Sequence, residues 1–190
     1  MKNTLVINKT EIKTKTLITF LAVISAVALP QVFHYIGVWS GSGALAGTVF
    51  LPMHIPVFIA AFMAGPVVGA VAGVLSPIMS FVFTASVLSA AMPGSALLPF
   101  MALELAGFGL TAGLLHKNNK LPVFVKLIIA QLAGRILRAT AILISLYVIG
   151  LHNPVATVSS IWDSVIIGLP GILLQWALIP LLVYRMKGNK

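Results

Sequence analysis

The sequence predicts an all-α integral membrane protein of six transmembrane helices with both termini cytoplasmic, and three observations predict it. The 190 residues are 59% hydrophobic and only 8% charged, against the roughly one-quarter charged content of soluble domains. The long apolar segments are apolar all round, without the polar face that a soluble helix shows about every 3.6 residues. The bases are clustered as well: Lys2, Lys9, Lys13 and Lys15 precede the first apolar run, Lys117, Lys120 and Lys126 flank a central polar connection, and Arg185, Lys187 and Lys190 end the chain. Lys and Arg mark cytoplasmic loops. Four spans before the central cluster and two after it put all three clusters on one side, as neither five nor seven spans would.

One membrane domain is expected over 1–190, with a basic cytoplasmic lead at 1–16, a bundle at 17–184 and a basic tail at 185–190. The lead is polar at the inner surface, and the apolar run after it is long enough to span without a small-residue cleavage pattern, so it reads as a helix and not a cleaved signal. Leu17–Ile36 is the first span, about 30 Å of helix. Ala22 and Ala26 within it form a small-xxx-small pair that lets another helix approach closely, either within the bundle or from a partner. Gly37–Gly47 (GVWSGSGALAG) follows as an outer connection with Trp39 at interfacial depth.

Thr48–Met63 is short for a span and carries Pro52 and Pro56 around His54, so its outer half is expected to be irregular, which hydrocarbon tolerates only under cover of protein or a water-filled cavity. Ala64-Gly65-Pro66 makes a tight inner turn. Val67–Ala90 returns outward with Gly69 and Gly73 four apart and a kink expected at Pro77. Ala91–Ala96 is an outer turn, Leu97–Leu115 descends carrying Glu104, and His116–Leu121 is a polar inner loop. Pro122–Gly150 is the fifth span, long enough to tilt, with Gln131, Arg135 and Arg138 inside it. Leu151–Ser159 lies outside, and Ser160–Tyr184 is the sixth span, with Trp162 and Asp163 near its outer end and Gln175 near its middle.

The candidate site follows from the residues that hydrocarbon tolerates poorly. A charge at the centre of a spanning helix costs about 2.5–3.5 kcal/mol on insertion scales, so it is turned inward and paired, or functional. Glu104 falls roughly 10 Å below the outer end of its helix and Arg135 about 18 Å above the inner start of the next. Arg135 and Arg138, three apart, share a face, so one can neutralise Glu104 while the other meets a ligand. His54, Asp163 and Gln175 reach similar depths, and the expected ligand-binding set is His54, Glu104, Gln131, Arg135, Arg138, Trp162, Asp163 and Gln175. Each has a plainer reading: a structural Arg135–Glu104 ion pair, a His54 bond to carbonyls freed by Pro56, a helix-to-helix bond for Gln175, an aromatic-belt place for Trp162. Convergence at one depth is what favours a site. Arg185 and the lysines are read as inner-surface anchors.

Enzyme and nucleic-acid classes fare poorly. No HExxH, no GxxxxGK[ST] and no His cluster of metal spacing occurs, so neither a metal nor a cofactor is expected. Ser76 and Ser80 have no recognisable base. Cysteine is absent, which excludes disulfides and thiolate chemistry. The net charge of +9 is not interleaved with aromatics on a polar surface, as nucleic-acid binding needs. Duplicated halves, common in secondary transporters, are missing.

The runs FLPMHIPVFIAAFMAGPVVGAVAGVLSP, MALELAGFGLTAGLL, the AGR of Ala133–Arg135 and PGILLQWALIP of Pro170–Pro180 resemble the substrate-binding S components of energy-coupling factor (ECF) transporters, prokaryotic vitamin importers related to ABC transporters. The resemblance covers most of Leu17–Tyr184. It implies a non-catalytic, six-helix protein of the cell membrane that captures a micronutrient outside and docks on a transmembrane coupling protein and two cytoplasmic ATPases, which supply the energy. It further implies that Ala22 and Ala26 match the family's alanine-xxx-alanine docking motif, and that the first outer loop, with Trp39, Ser40, Gly41, Ser42 and Gly43, is a lid. The competing class is a self-sufficient small secondary transporter or channel.

Among S-component vitamins, two arginines against one glutamate favour a ligand with a carboxylate or phosphate, because the guanidinium fork matches those groups. Pantothenate, small and anionic, is preferred, with cobalamin and pyridoxine as alternatives. Flat-ring ligands rank lower, since Trp162, Trp176 and Tyr147 are the aromatic platforms available.

Overall fold

The computed structural model describes residues 9–41, 49–87, 93–151 and 155–188. Among them the chain runs through α1 (Lys9–Trp39), α2 (His54–Ala64), α3 (Pro66–Val87), α4 (Leu98–Leu115), α5 (Val123–Tyr147), α6 (Val158–Ile167) and α7 (Leu169–Gly188), with no strand. Five of these, α1, α3, α4, α5 and α7, are long and apolar enough to cross a membrane. The protein is an all-helical membrane protein, and two of the six segments expected as spans are not single long helices.

The segment expected as span two is helical in regular form only from His54. Leu51 has φ 48°, and the first turn of α2 closes through i to i+3 bonds, His54 N–H to the Leu51 carbonyl at 3.2 Å and Ile55 N–H to the Pro52 carbonyl at 3.3 Å. Pro56 has no N–H to extend the ladder backwards, which leaves the irregular start that the two prolines foretold. The segment expected as span six is broken at Gly168, where φ is −81° and ψ 0°. Pro170 follows two residues later and cannot donate to the Ile166 carbonyl; that carbonyl takes the Gly168 N–H instead, and a second helix begins.

Helix α2 is the post around which the others stand. Eight of its eleven residues are buried, because a short helix that is apolar on every side must be covered on every side. Ile55, Phe58, Ala61 and Phe62 join Phe108 and Ala112 of α4, Val123, Leu127 and Ala130 of α5, and Ile179 and Val183 of α7 in one cluster. Helices α3 and α4 run antiparallel with backbone on backbone: a Cβ at Gly69 or Gly109 would enter the other's carbonyl, and one at Gly73 would enter that of Leu105. The turn between α2 and α3 rests on Gly65, at φ 91°, a conformation that glycine alone adopts freely.

Of the five long apolar helices, α1 is the least buried. Only Ala22, Ala26 and Gly37 of its 31 residues are buried. Ala22 packs with Ala60, Val68 and Ala72, and Ala26 with Met53, Val57 and Leu105. The small pair therefore closes α1 onto its own bundle, a methyl being small enough to let α1 lie against α2 and α3. Between α1, α2 and α7 runs an apolar groove of about 460 Å³, bordered by Leu21, Ala22, Phe33, Ile59, Leu178 and Leu182.

Candidate functional site

Glu104 lies roughly 9 Å from the start of α4 at 1.5 Å per residue and is 3% exposed. A carboxylate there must be matched, and α5 matches it. Gly134 of α5 meets α4 where any Cβ would strike Phe108 and the Glu104 carbonyl, and Gly107 meets the Gly134 backbone in return. This close approach brings the next turn of α5 beside Glu104. Arg138 Nη1 donates to Glu104 Oε2 at 2.9 Å, while Arg135 Nη1 stays 4.0 Å from Oε1, the limit of an ion pair and beyond a hydrogen bond. The order of the two arginines is thus the reverse of the Arg135–Glu104 pair considered from sequence. Their side chains retain 16% and 18% exposure for Arg138 and Arg135, and two guanidiniums facing one carboxylate leave one positive charge in excess.

His54 joins this cluster from α2. It is 4% exposed, its ring meets Phe108 edge-on with centroids 5.3 Å apart, and Phe108 stands one turn along α4 from Glu104. Its Nδ1 lies 3.1 Å from the Leu51 carbonyl. That carbonyl belongs to the irregular entry to α2 and is not the one Pro56 frees, so the plainer reading of His54 holds with a different acceptor.

Gln131 and Gln175 are buried, but they are occupied with each other. Gln131 Nε2 donates to Gln175 Oε1 at 2.9 Å, Trp176 Nε1 donates to Gln131 Oε1 at 2.7 Å, and Gln175 Nε2 reaches the Leu51 carbonyl at 3.4 Å. The helix-to-helix reading of Gln175 describes this arrangement, and a direct ligand contact for either amide does not. Trp162 is 69% exposed and Asp163 is exposed beside it, on a helix with no buried residue. Neither joins the cluster: the break at Gly168 sets α6 off from α7, and α6 packs through Ile161 on Phe100 of α4 and Ile142 of α5. Tyr147, at 77% exposure, does not join it either.

Of the five residues expected in a lid, Trp39 ends α1 exposed, Ser40 Oγ donates to the Gly37 carbonyl at 3.2 Å, and Gly41 takes φ 78°, while Ser42 and Gly43 lie outside the described residues. Two features escaped sequence reading. Ser76, Ser80 and Thr84 form a buried line on α3, legible in their spacing of four, but Ser76 and Thr84 donate to their own helix at Ala72 and Ser80 carbonyls. Lys126, read as a surface anchor, is 3% exposed and its Nζ stands 3.5 Å from the His116 carbonyl, at the negative end of α4. Among the described residues no group of His, Cys, Asp and Glu is arranged to hold a metal.

A charged cluster with an excess positive charge is held inside an all-helical membrane bundle. A family model for the ECF transporter, substrate-specific component, matches residues 13–186. The chain belongs to this family. Among curated proteins and solved structures none matches it. S components are the substrate-binding, non-catalytic subunits of their transporters and associate with the ECF module of transmembrane and ATPase components. The apolar groove of this S component, by contrast with the Glu104 cluster, is lined by no charged side chain.

Proposed function

We propose that this S component is a high-affinity capture subunit for a small acidic vitamin, with Arg135, Arg138 and Glu104 as its recognition centre and pantothenate as the preferred substrate. The observation that carries this reading is the imbalance of two arginines on one buried carboxylate. Arg138 is committed to Glu104, so Arg135 is the guanidinium available to a ligand carboxylate or phosphate. The basic clusters support a cytoplasmic placement of both termini in a prokaryotic cell membrane, with the recognition centre in the outer half. ATP hydrolysis belongs to the partner ATPases, and uptake requires docking on the coupling protein. Alanine-xxx-alanine docking is retained only for Ala22, which borders the apolar groove; Ala26 is fully covered within the bundle.

The test is mass spectrometry of small molecules released from the purified chain, followed by titration of the emptied protein with the molecule found and with pantothenate. Near-stoichiometric recovery of an acidic vitamin, with binding lost in Arg135→Ala, supports the proposal. Recovery of nothing, with no tight binding of pantothenate or other vitamins, sinks it.

A further inference from the structure

Two buried polar atoms lack a hydrogen-bond partner among the described residues, His54 Nε2 and Arg138 Nε. They are of opposite kind. Arg138 Nε is a donor awaiting an acceptor. His54 Nδ1 faces the Leu51 carbonyl, and a carbonyl only accepts, so Nδ1 carries the proton and in the neutral ring Nε2 offers a lone pair. His54 lies within electrostatic reach of Glu104, Arg135 and Arg138. A buried acceptor left unmade is a cost to the fold that a ligand donor removes.

The ring is held from behind. The Leu51 carbonyl that accepts from Nδ1 also accepts from Gln175, which accepts from Gln131, which accepts from Trp176. Leu51 is the non-glycine residue with positive φ among the described residues, and its segment lies on α7 where Gly168 and Gly171 have no Cβ to obstruct Leu51 and the Phe50 backbone. A chain of one indole and two buried amides thus ends on the carbonyl of a left-handed leucine, and that carbonyl decides which nitrogen of His54 is protonated.

Resting on the reading of the Arg135–Arg138–Glu104 centre as the ligand site, we propose that His54 Nε2 accepts a hydrogen bond from the captured molecule, so that the substrate class is an anion bearing an O–H or N–H donor close to its acid group. Gln175 and Gln131 are positioning residues: they fix the His54 tautomer through the Leu51 carbonyl and do not touch the ligand. A donor-free acid satisfies the arginines and leaves Nε2 unpaired; an uncharged polyol satisfies Nε2 and leaves the arginines unpaired. Both are rejected relative to a molecule with the two groups together.

The experiment titrates the full chain in lipid nanodiscs with donor-bearing anions (pantothenate, pantoate), donor-free anions (nicotinate, lipoate) and donor-bearing uncharged molecules (pantothenol, pyridoxine). The tight binder is expected in the first group alone, weakened about tenfold or more, the equivalent of one hydrogen bond, by His54→Phe and less by His54→Gln, whose amide reaches the Nε2 position. Ring ¹⁵N spectra, assigned with His54→Phe, are expected to show the Nδ1–H tautomer in the parent chain and its loss in Gln175→Met, a signature that a merely structural amide would leave unmoved. A tight binder from either other group, or affinity unaffected by His54→Phe, overturns the inference while leaving the S-component site in place. Absence of binding by every probe overturns the capture reading and the inference with it. An unchanged tautomer in both Gln175→Met and Gln131→Met overturns the positioning role, even where one variant folds poorly.

Discussion

Arg138 donates to Glu104 across the α4–α5 contact at 2.9 Å, and this bond ranks the two intramembrane arginines that sequence left equivalent. Arg135, one turn back on the same helix, sees the other carboxylate oxygen only at 4.0 Å.

Removal of Arg138 leaves Glu104, 3% exposed, without its hydrogen-bonded partner and with only Arg135 at 4.0 Å to offset its charge. Arg138→Leu is therefore expected to destabilise the chain by about 3–5 kcal/mol, as broken buried pairs do, whereas Arg135→Leu leaves the carboxylate bonded and has a smaller effect on stability. Denaturant unfolding in detergent reads both. Equal losses would remove the ranking.

Gly134 sets the distance at which that bond forms. Its missing Cβ makes room for the Phe108 ring and the Glu104 carbonyl, so Gly134→Val must push α5 off α4. Overpacking of this kind costs about 1–3 kcal/mol. Ligand binding should fall further than stability does, because a small displacement separates Arg138 from Glu104 before the fold is lost.

Gln131 has both ends of its amide committed, to Gln175 and to Trp176. Gln131→Leu strands a buried carbonyl oxygen and a half-buried indole N–H, with an expected loss of about 1–3 kcal/mol for an unsatisfied group. Trp176 fluorescence should shift as its N–H loses its acceptor. A spectrum identical to that of the parent chain would show that the indole bond does not form.

Ala26 is 0% exposed against Met53, Val57 and Leu105. Ala26→Leu is expected to destabilise the isolated chain by about 1–3 kcal/mol. Weaker assembly of that variant with the ECF module is then a defect of the bundle and not of a docking surface. A variant of unchanged stability that still fails to assemble would restore Ala26 to the interface.

Much of this was legible because hydrocarbon makes charge conspicuous. Glu104, Arg135 and Arg138 were identifiable from sequence as one cluster by depth alone, and Pro52 and Pro56 announced the irregular start of α2. What stayed hidden depended on rotation about helix axes and on helix breaks. Periodicity in an all-apolar helix does not reveal which side faces inward, so the packing of Ala22 and Ala26 against α2, α3 and α4 was not legible. The break at Gly168 had a signal in Pro170, which was outweighed by the unbroken run of apolar residues around it, and with the break went the expected roles of Trp162 and Asp163. Lys126 was misread for the opposite reason: a lysine near a helix end is normally a surface anchor, and only the fold shows it turned over the last carbonyls of α4.

The glycine seam between α3 and α4 bears on how the molecule can change shape. With backbone lying on backbone at Gly69, Gly73 and Gly109, there are no long side chains between the two helices to switch rotamer and absorb a slide. The pair behaves as a single rigid plank, and half of the recognition centre, Glu104, is fixed to it. Gly107 and Gly134 extend the same close approach to α5, so Glu104 and the two arginines ride on one block, and a change of shape falls to α1 and to the joint at Gly168 between α6 and α7.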